Sequence, residues 1–419
     1  VASGHSSSDL DYISTSALAL NNGTIKDASE NAATLTLASP GATNSLGNSK
    51  AIVVDGIVPT VSSVASSSSN GNYKIGDVVG ITVTFSEAVT VSGTPQITLE
   101  TGSSDAVVNY TSGSGGTTLT FNYTVSEGHG SSDLDYVSTS ALALNSGSIL
   151  DASGNSASLT LASPGAANSL GANAALLVDG VLPTVTAVSS TSNNGSYKFD
   201  DTIPITITFS EAVTVSGTPQ LTLETGLSDA VVNYTSGSGG STLTFNYTVL
   251  SGHNSSNLDY VSSSALSLNS GSIADAAGNN ATLTLVSPGA TASLGSNKSI
   301  VIDGIVPTIS IVTSTSSDGN YSAGDVIPIS ILFSESVTVS GTPQLTLETG
   351  SSDAVVDYST GSGTPTLVFN YTVASGHTSS DLDYTSTSAL ALNSGTVNDA
   401  AGNASILTLS SPGSVTSLG

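Results

Sequence analysis

One string of residues recurs along this chain at a fixed distance, and it constrains everything else. FSEAVTVSGTPQ begins at Phe85 and again at Phe209, and FSESVTVSGTPQ begins at Phe333, a spacing of 124 each time. All four histidines, His5, His129, His253 and His377, keep the same period. No insertion or deletion is needed anywhere, so the fold must be a unit that can follow itself in tandem. The 419 residues hold three periods and a fraction. Val1 aligns with Val125 and Gly419 with Gly47, both inside the pattern, so the expectation is a window onto a longer array.

Each period reads as strands. Ile81–Phe85 (ITVTF) and Thr118–Val125 (TLTFNYTV) alternate apolar with polar residues, as half-buried antiparallel strands do. Turn signals such as NGNY, SGTPQ, SGSGG, NSGS and SPGA separate them. No stretch carries a helical apolar stripe; SSSAL and its copies have room for one turn of helix. About seven strands at this spacing predict an all-β sandwich with Greek-key connections and some extended loops. Boundaries fall at VDGIVPT, VDGVLPT and IDGIVPT, where Gly turns the chain and Pro stiffens the next entry. They give a partial repeat at 1–54, repeats at 55–178 and 179–302, and a repeat lacking its last strand at 303–419.

Composition removes several function classes. Thirty-one acidic residues face five lysines, so the chain will not hold nucleic-acid phosphates or anionic headgroups. Recurrent Val, Ile and Leu argue against a disordered polyanion, and no apolar run approaches the length of a membrane helix. With no Cys, Met or Trp there is no disulfide, no thiolate ligand and little to oxidise, which suits an exposed extracellular material. One His per repeat beside Ser and Asp in a polar turn is not a catalytic triad, and a tandem of identical active sites is not expected, so the reading is non-enzymatic.

The pattern D-G-x-x-P-T, then G-D before a strand, then FSEAVTVSGTPQ, then D-A-x-G-N resembles the bacterial immunoglobulin-like repeats of large surface proteins and adhesins. The likeness covers the whole chain as successive copies. It implies tandem Ig-like sandwiches in an extended array at the cell surface. Ile57, Val181 and Ile305 replace the Thr of that family's Asp-x-Thr-x-Pro-Thr linker and make the junction more apolar.

With an Ig-like strand order assumed, the acidic columns converge at one pole of each repeat. Asp179 would open the first strand, Glu211 would end the second, and Asp275 with Asn279 would sit in a late turn. The preceding repeat would bring up Asp77, Asp133 and Asp135 from its opposite pole. The equivalent sets are Asp55, Glu87 and Asp151 with Asp9 and Asp11, and Asp303, Glu335 and Asp399 with Asp201 and Asp259. Asn257 stands where the column has Asp, which would weaken the third junction. Clustered carboxylates and carbonyls without His or Cys suit Ca2+, which takes six to eight oxygens. The plainer reading is that Asp favours turns because it bonds its own backbone. No EF-hand loop or glycine-rich nonapeptide is present.

Two functions stay open. One is an adhesive or structural stalk stiffened by calcium, with host or surface ligands bound by regions outside this window. The other is a subunit that assembles with neighbouring or identical chains into a filament, sheath or surface layer. Sequons at Asn109, Asn122, Asn233, Asn246 and Asn370 permit glycans, and the Thr rows at Thr82, Thr84, Thr206 and Thr208 read as ordinary strand residues on a solvated face.

Overall fold

A computed structural model describes residues 1–419, which divide into two compact units. One holds Val1–Leu182 with Ala277–Asn279, the other Pro183–Ala276 with Asn280–Gly419. Strands dominate throughout, and the fold is the expected all-β one, built as tandem repeats.

The first complete repeat shows how the sequence builds the unit. Val61–Ser66 pairs with the long strand Val78–Ser92, which pairs in turn with Gly116–Thr124. Gln96–Leu99 pairs with Ala106–Ser112 and with Leu142–Ala143. Alternation puts Val79, Ile81 and Val83 from one strand and Leu119, Phe121 and Tyr123 from another inward, each at most 2% exposed. Tyr110 meets Phe121 edge to face at 6.1 Å, and the Tyr136 hydroxyl donates to the Ala162 carbonyl. The two later cores repeat this set around Phe245 and Phe369, so each of the three repeats from residue 55 onward is packed on its own residues.

Three details depart from the sequence reading. Asp179 does not open the first strand; it closes a short strand, Leu176–Asp179, that runs parallel to Gly71–Lys74. Nor does the acidic column end the second strand. The strand runs on for 15 residues, Val78–Ser92 and Thr202–Ser216, with Glu87 and Glu211 inside it. Pairing with Gly116–Thr124 shifts register between Thr84 and Val89, after which Thr90–Ser92 pair with Ser148–Leu150. The strand therefore changes partners at a bulge, and the glutamate sits in the changeover where the ladder is open. Finally, the helical turns lie not at SSSAL but at Leu46–Ser49, Leu170–Asn173 and Leu294–Asn297, each started by a Ser whose side chain accepts an amide of the first turn.

Residues 1–54 contain no buried apolar side chain; Leu10, Leu18 and Ile52 are all exposed. Their counterparts at 125–178 pack against strands between residues 61 and 124. No helix is long and apolar enough to cross a membrane.

Candidate metal centre

The linker sets the first carboxylate. Thr60 is pinned on both sides, exchanging bonds with Ser86 and lying in a parallel bridge with Ser158. This lays the segment after Asp55 between the strand changeover and the late turn. Asp55 itself accepts the Ile57 amide at 3.0 Å. The late turn is built by Asp151, which accepts the Ser153 and Asn155 amides at 2.8 Å and the Asn155 side-chain amide at 2.7 Å. Gly154 turns the chain at φ 88, where only glycine is unstrained. Asn155 also donates to the Asp55 carbonyl at 3.1 Å, so one amide ties linker and turn together.

Asp55, Glu87 and Asp151 thus bring one carboxylate oxygen each to within 4.8 Å of the others. Asp303, Glu335 and Asp399 do the same in the second unit. Asp151 and Asp399 are buried, and their partners half-buried. Glu87 Oε1 and Glu335 Oε1 are shut off from solvent and have no hydrogen-bond donor. A buried acceptor left without a partner is rare and calls for an explanation. Burial, then the charges of the two neighbouring aspartates, pushes both glutamates above the ordinary carboxylate range. Burial raises Asp303 as well, against the Ile305 amide, and Asp399 adds to the rise. Asp151 behaves differently: burial works to raise it, but bonds from Asn155, Ser153 and Gly154 outweigh that and hold it low. The third set is divided between the two units: Glu211 and Asp275 belong to one, Asp179 to the other.

The remaining predicted residues lie elsewhere in the loops. Asp77 and Asp201 cap their own turns, accepting the Lys74 and Lys198 amides at 3.0 and 2.9 Å. Asp135 accepts the Tyr136 and Gly165 amides, and a Cβ placed on Gly171 would lie 3.0 Å from Asp135 Oδ2 and 3.4 Å from Asp133 Oδ2. Asp9 and Asp11 surround Gly47 in the same way. Burial opposes ionisation of Asp11, but amide bonds led by Gly41 hold its carboxyl below the usual value. In the copy with Asn257 beside Asp259, the asparagine amide donates to the Gly295 carbonyl at 2.8 Å. An N–H donor thus occupies a place that two carboxylates flank in the other copies.

Sequence reading did not single out Ser153, whose hydroxyl donates to Asp55 Oδ2 at 3.1 Å, or the linking role of Ser86. It also passed over what joins successive repeats. Asn403 is buried; its amide donates to the Asp303 carbonyl and to Asp399, and its Oδ1 accepts the Phe199 amide of the preceding repeat at 2.8 Å. Asn279 makes the same contact with Ile75 at 3.0 Å. The histidines are structural: His129 Nδ1 lies 2.9 Å from the Tyr123 hydroxyl and accepts the Ser126 amide, and its backbone zips onto Gly180. Burial holds His253 below its ordinary value.

Residues 180–287 match the bacterial Ig-like domain family. Among solved structures the chain is similar to an I-band fragment of titin, at 8% identity and a TM-score of 0.29, over 82% of this chain and 94% of that one. It is also similar to the S-layer protein rSbsC, at 11% identity and a TM-score of 0.16, over 86% of this chain and 59% of that one. No curated protein matches the sequence.

Proposed function

We propose that the chain is an extracellular structural stalk whose repeat junctions are stiffened by Ca2+. The observation that carries this reading is the buried, partnerless Oε1 of Glu87 and Glu335, each glutamate being one of three carboxylates with an oxygen within 4.8 Å of the other two. Like charges brought that close in a half-buried site favour a counter-ion. The donor set fits a hard cation: it is all oxygen, and oxygens across a Ca2+ ion lie roughly 4.6–5.2 Å apart, given bonds of about 2.3–2.6 Å. Asp55, Glu87 and Asp151 would hold one ion and Asp303, Glu335 and Asp399 another. The ion supplies charge neutralisation and a rigid tie between linker, changeover and late turn.

The Ig-like repeat is a type of fold that is typically non-enzymatic, and a mechanical role at the cell surface suits a repeat packed on its own core. Asn403 and Asn279 already tie each late turn to the repeat before it, so an ion fixed in that turn fixes the junction. The test is small-angle scattering of the whole chain with saturating calcium and then with chelator. A particle that loosens on chelation supports the stalk; identical scattering and melting in both states removes the metal from the account. Growth into long particles would instead make self-assembly into a filament or surface layer the function.

A further inference from the structure

We propose that Lys198 is a tethered counter-ion for Asp303, Glu335 and Asp399, poised beside them in competition with a bound cation. The inference rests on the calcium reading for its second half only. Lys198 closes the strand Gly195–Lys198 and stands in register opposite Asp303 in the parallel pair. Its amide is held by Asp201 Oδ2 at 2.9 Å, and the next amide, that of Phe199, is held by Asn403 Oδ1. The backbone is therefore fixed on both sides of the lysine. Its stem lies over Gly402, where an added Cβ would be 3.7 Å from Lys198 Cδ, and the Gly402 amide donates to Asp399 at 2.7 Å.

The stem thus reaches the late turn that presents Asp399, while the strand register places it against Asp303. Its ammonium makes no ion pair, unlike that of Lys26, which pairs with Glu30. Charged groups around it are Asp200 and Asp201 on its own turn and Asp303, Glu335 and Asp399 across the junction, all acidic. A chain with five lysines puts another, Lys74, at the same column, with Cδ 3.4 Å from a Cβ on Gly278. A flexible stem with a mobile charge at its tip can swing toward the carboxylates when no metal is there and back to solvent when one binds. Such a device keeps the junction from springing apart at low calcium and lowers the affinity for the ion.

The experiment uses the whole chain with Lys198→Met, which keeps the stem, and Lys198→Arg, which keeps the charge. In chelator at low salt, Lys198→Met should melt earlier than wild type, with the gap closing in high salt. Lys198→Arg should match wild type. In a calcium titration, Lys198→Met should bind tighter at one site, by on the order of fivefold for a partly screened charge. If Lys198→Met melts like wild type in chelator, or binds calcium no more tightly, the proposal is wrong. If wild type binds no calcium and Lys198→Met still melts earlier in low salt, the tethered counter-ion stands and the calcium reading alone falls.

Discussion

Replacing Glu335 by Gln tests the electrostatics of the carboxylate set directly. The substitution keeps the size of the side chain and removes one of three like charges whose oxygens lie within 4.8 Å of one another. Two unit charges at that separation repel by about 1 kcal/mol in a water-like dielectric and about 3.5 kcal/mol at an effective dielectric of 20. Glu335 faces two such charges, and the half-exposed setting keeps the figure at the lower end. In chelator the gain should be about 2 kcal/mol. For a domain of this size that raises the melting temperature of the third repeat by roughly 8 °C. The amide also lets the side chain donate to Asp303 or Asp399, which adds to the gain. In saturating calcium the order should invert, because a charged ligand has been lost. The assay is calorimetric melting of wild type and variant, each with chelator and with calcium. A variant no more stable than wild type in chelator would refute the reasoning, since the carboxylates could not then be repelling one another.

The pH dependence without metal follows from the same groups. Glu87 and Glu335 sit above their ordinary value, so the native state binds more protons than the unfolded chain, and stability should fall as pH rises from about 4.5 through their folded values. Asp151 is held below its ordinary value, so its contribution is present above about 3.8 and is lost as pH falls through its folded value. Melting in chelator should therefore peak at mildly acid pH, and a flat profile over that range would contradict both shifts. Asn403→Ala strips partners from the Phe199 amide and the Asp303 carbonyl, and should cost about 2–4 kcal/mol and speed proteolysis near residue 303. Asn257→Asp should remove the bond to Gly295 and lower stability in chelator by about 1–2 kcal/mol, while adding calcium uptake by equilibrium dialysis.

The fold was legible because the period and the alternation are both written in residue types. Val79, Ile81 and Val83 face inward as their spacing demands, and turn glycines such as Gly93 and Gly113 mark where strands stop, although Pro204 and Pro328 lie inside strands. The convergence of Asp55, Glu87 and Asp151 was also readable from the columns, although by an imperfect route. Nothing in FSEAVTVS marks a strand that changes partners midway, because the register shift depends on which neighbours run out. The parallel pairing of Leu176–Asp179 was hidden for a similar reason: Gly71–Lys74 is too short and too polar to read as a strand by itself. The wider set with Asp77, Asp133 and Asp135 relied on an assumed pole. Each of these finds backbone amides or a helical turn close by, which short-range sequence cannot distinguish from a long-range ligand.

The parallel pairing bears on how a pulled repeat would fail. Leu176–Asp179 leads out of its repeat, and Gly71–Lys74, to which it is bonded, follows the strand that leads in. Tension applied at the two ends loads this ribbon along its length, so its bonds are sheared together instead of being peeled one after another. Gly130–Ser131 grips the other edge of the same exit strand, and Leu176 and Val178 anchor it in the core beneath. Rupture must then break a group of bonds and draw two apolar side chains through a packed interior in one event. If the chain bears tension, the force at which a repeat yields should be set at this exit strand.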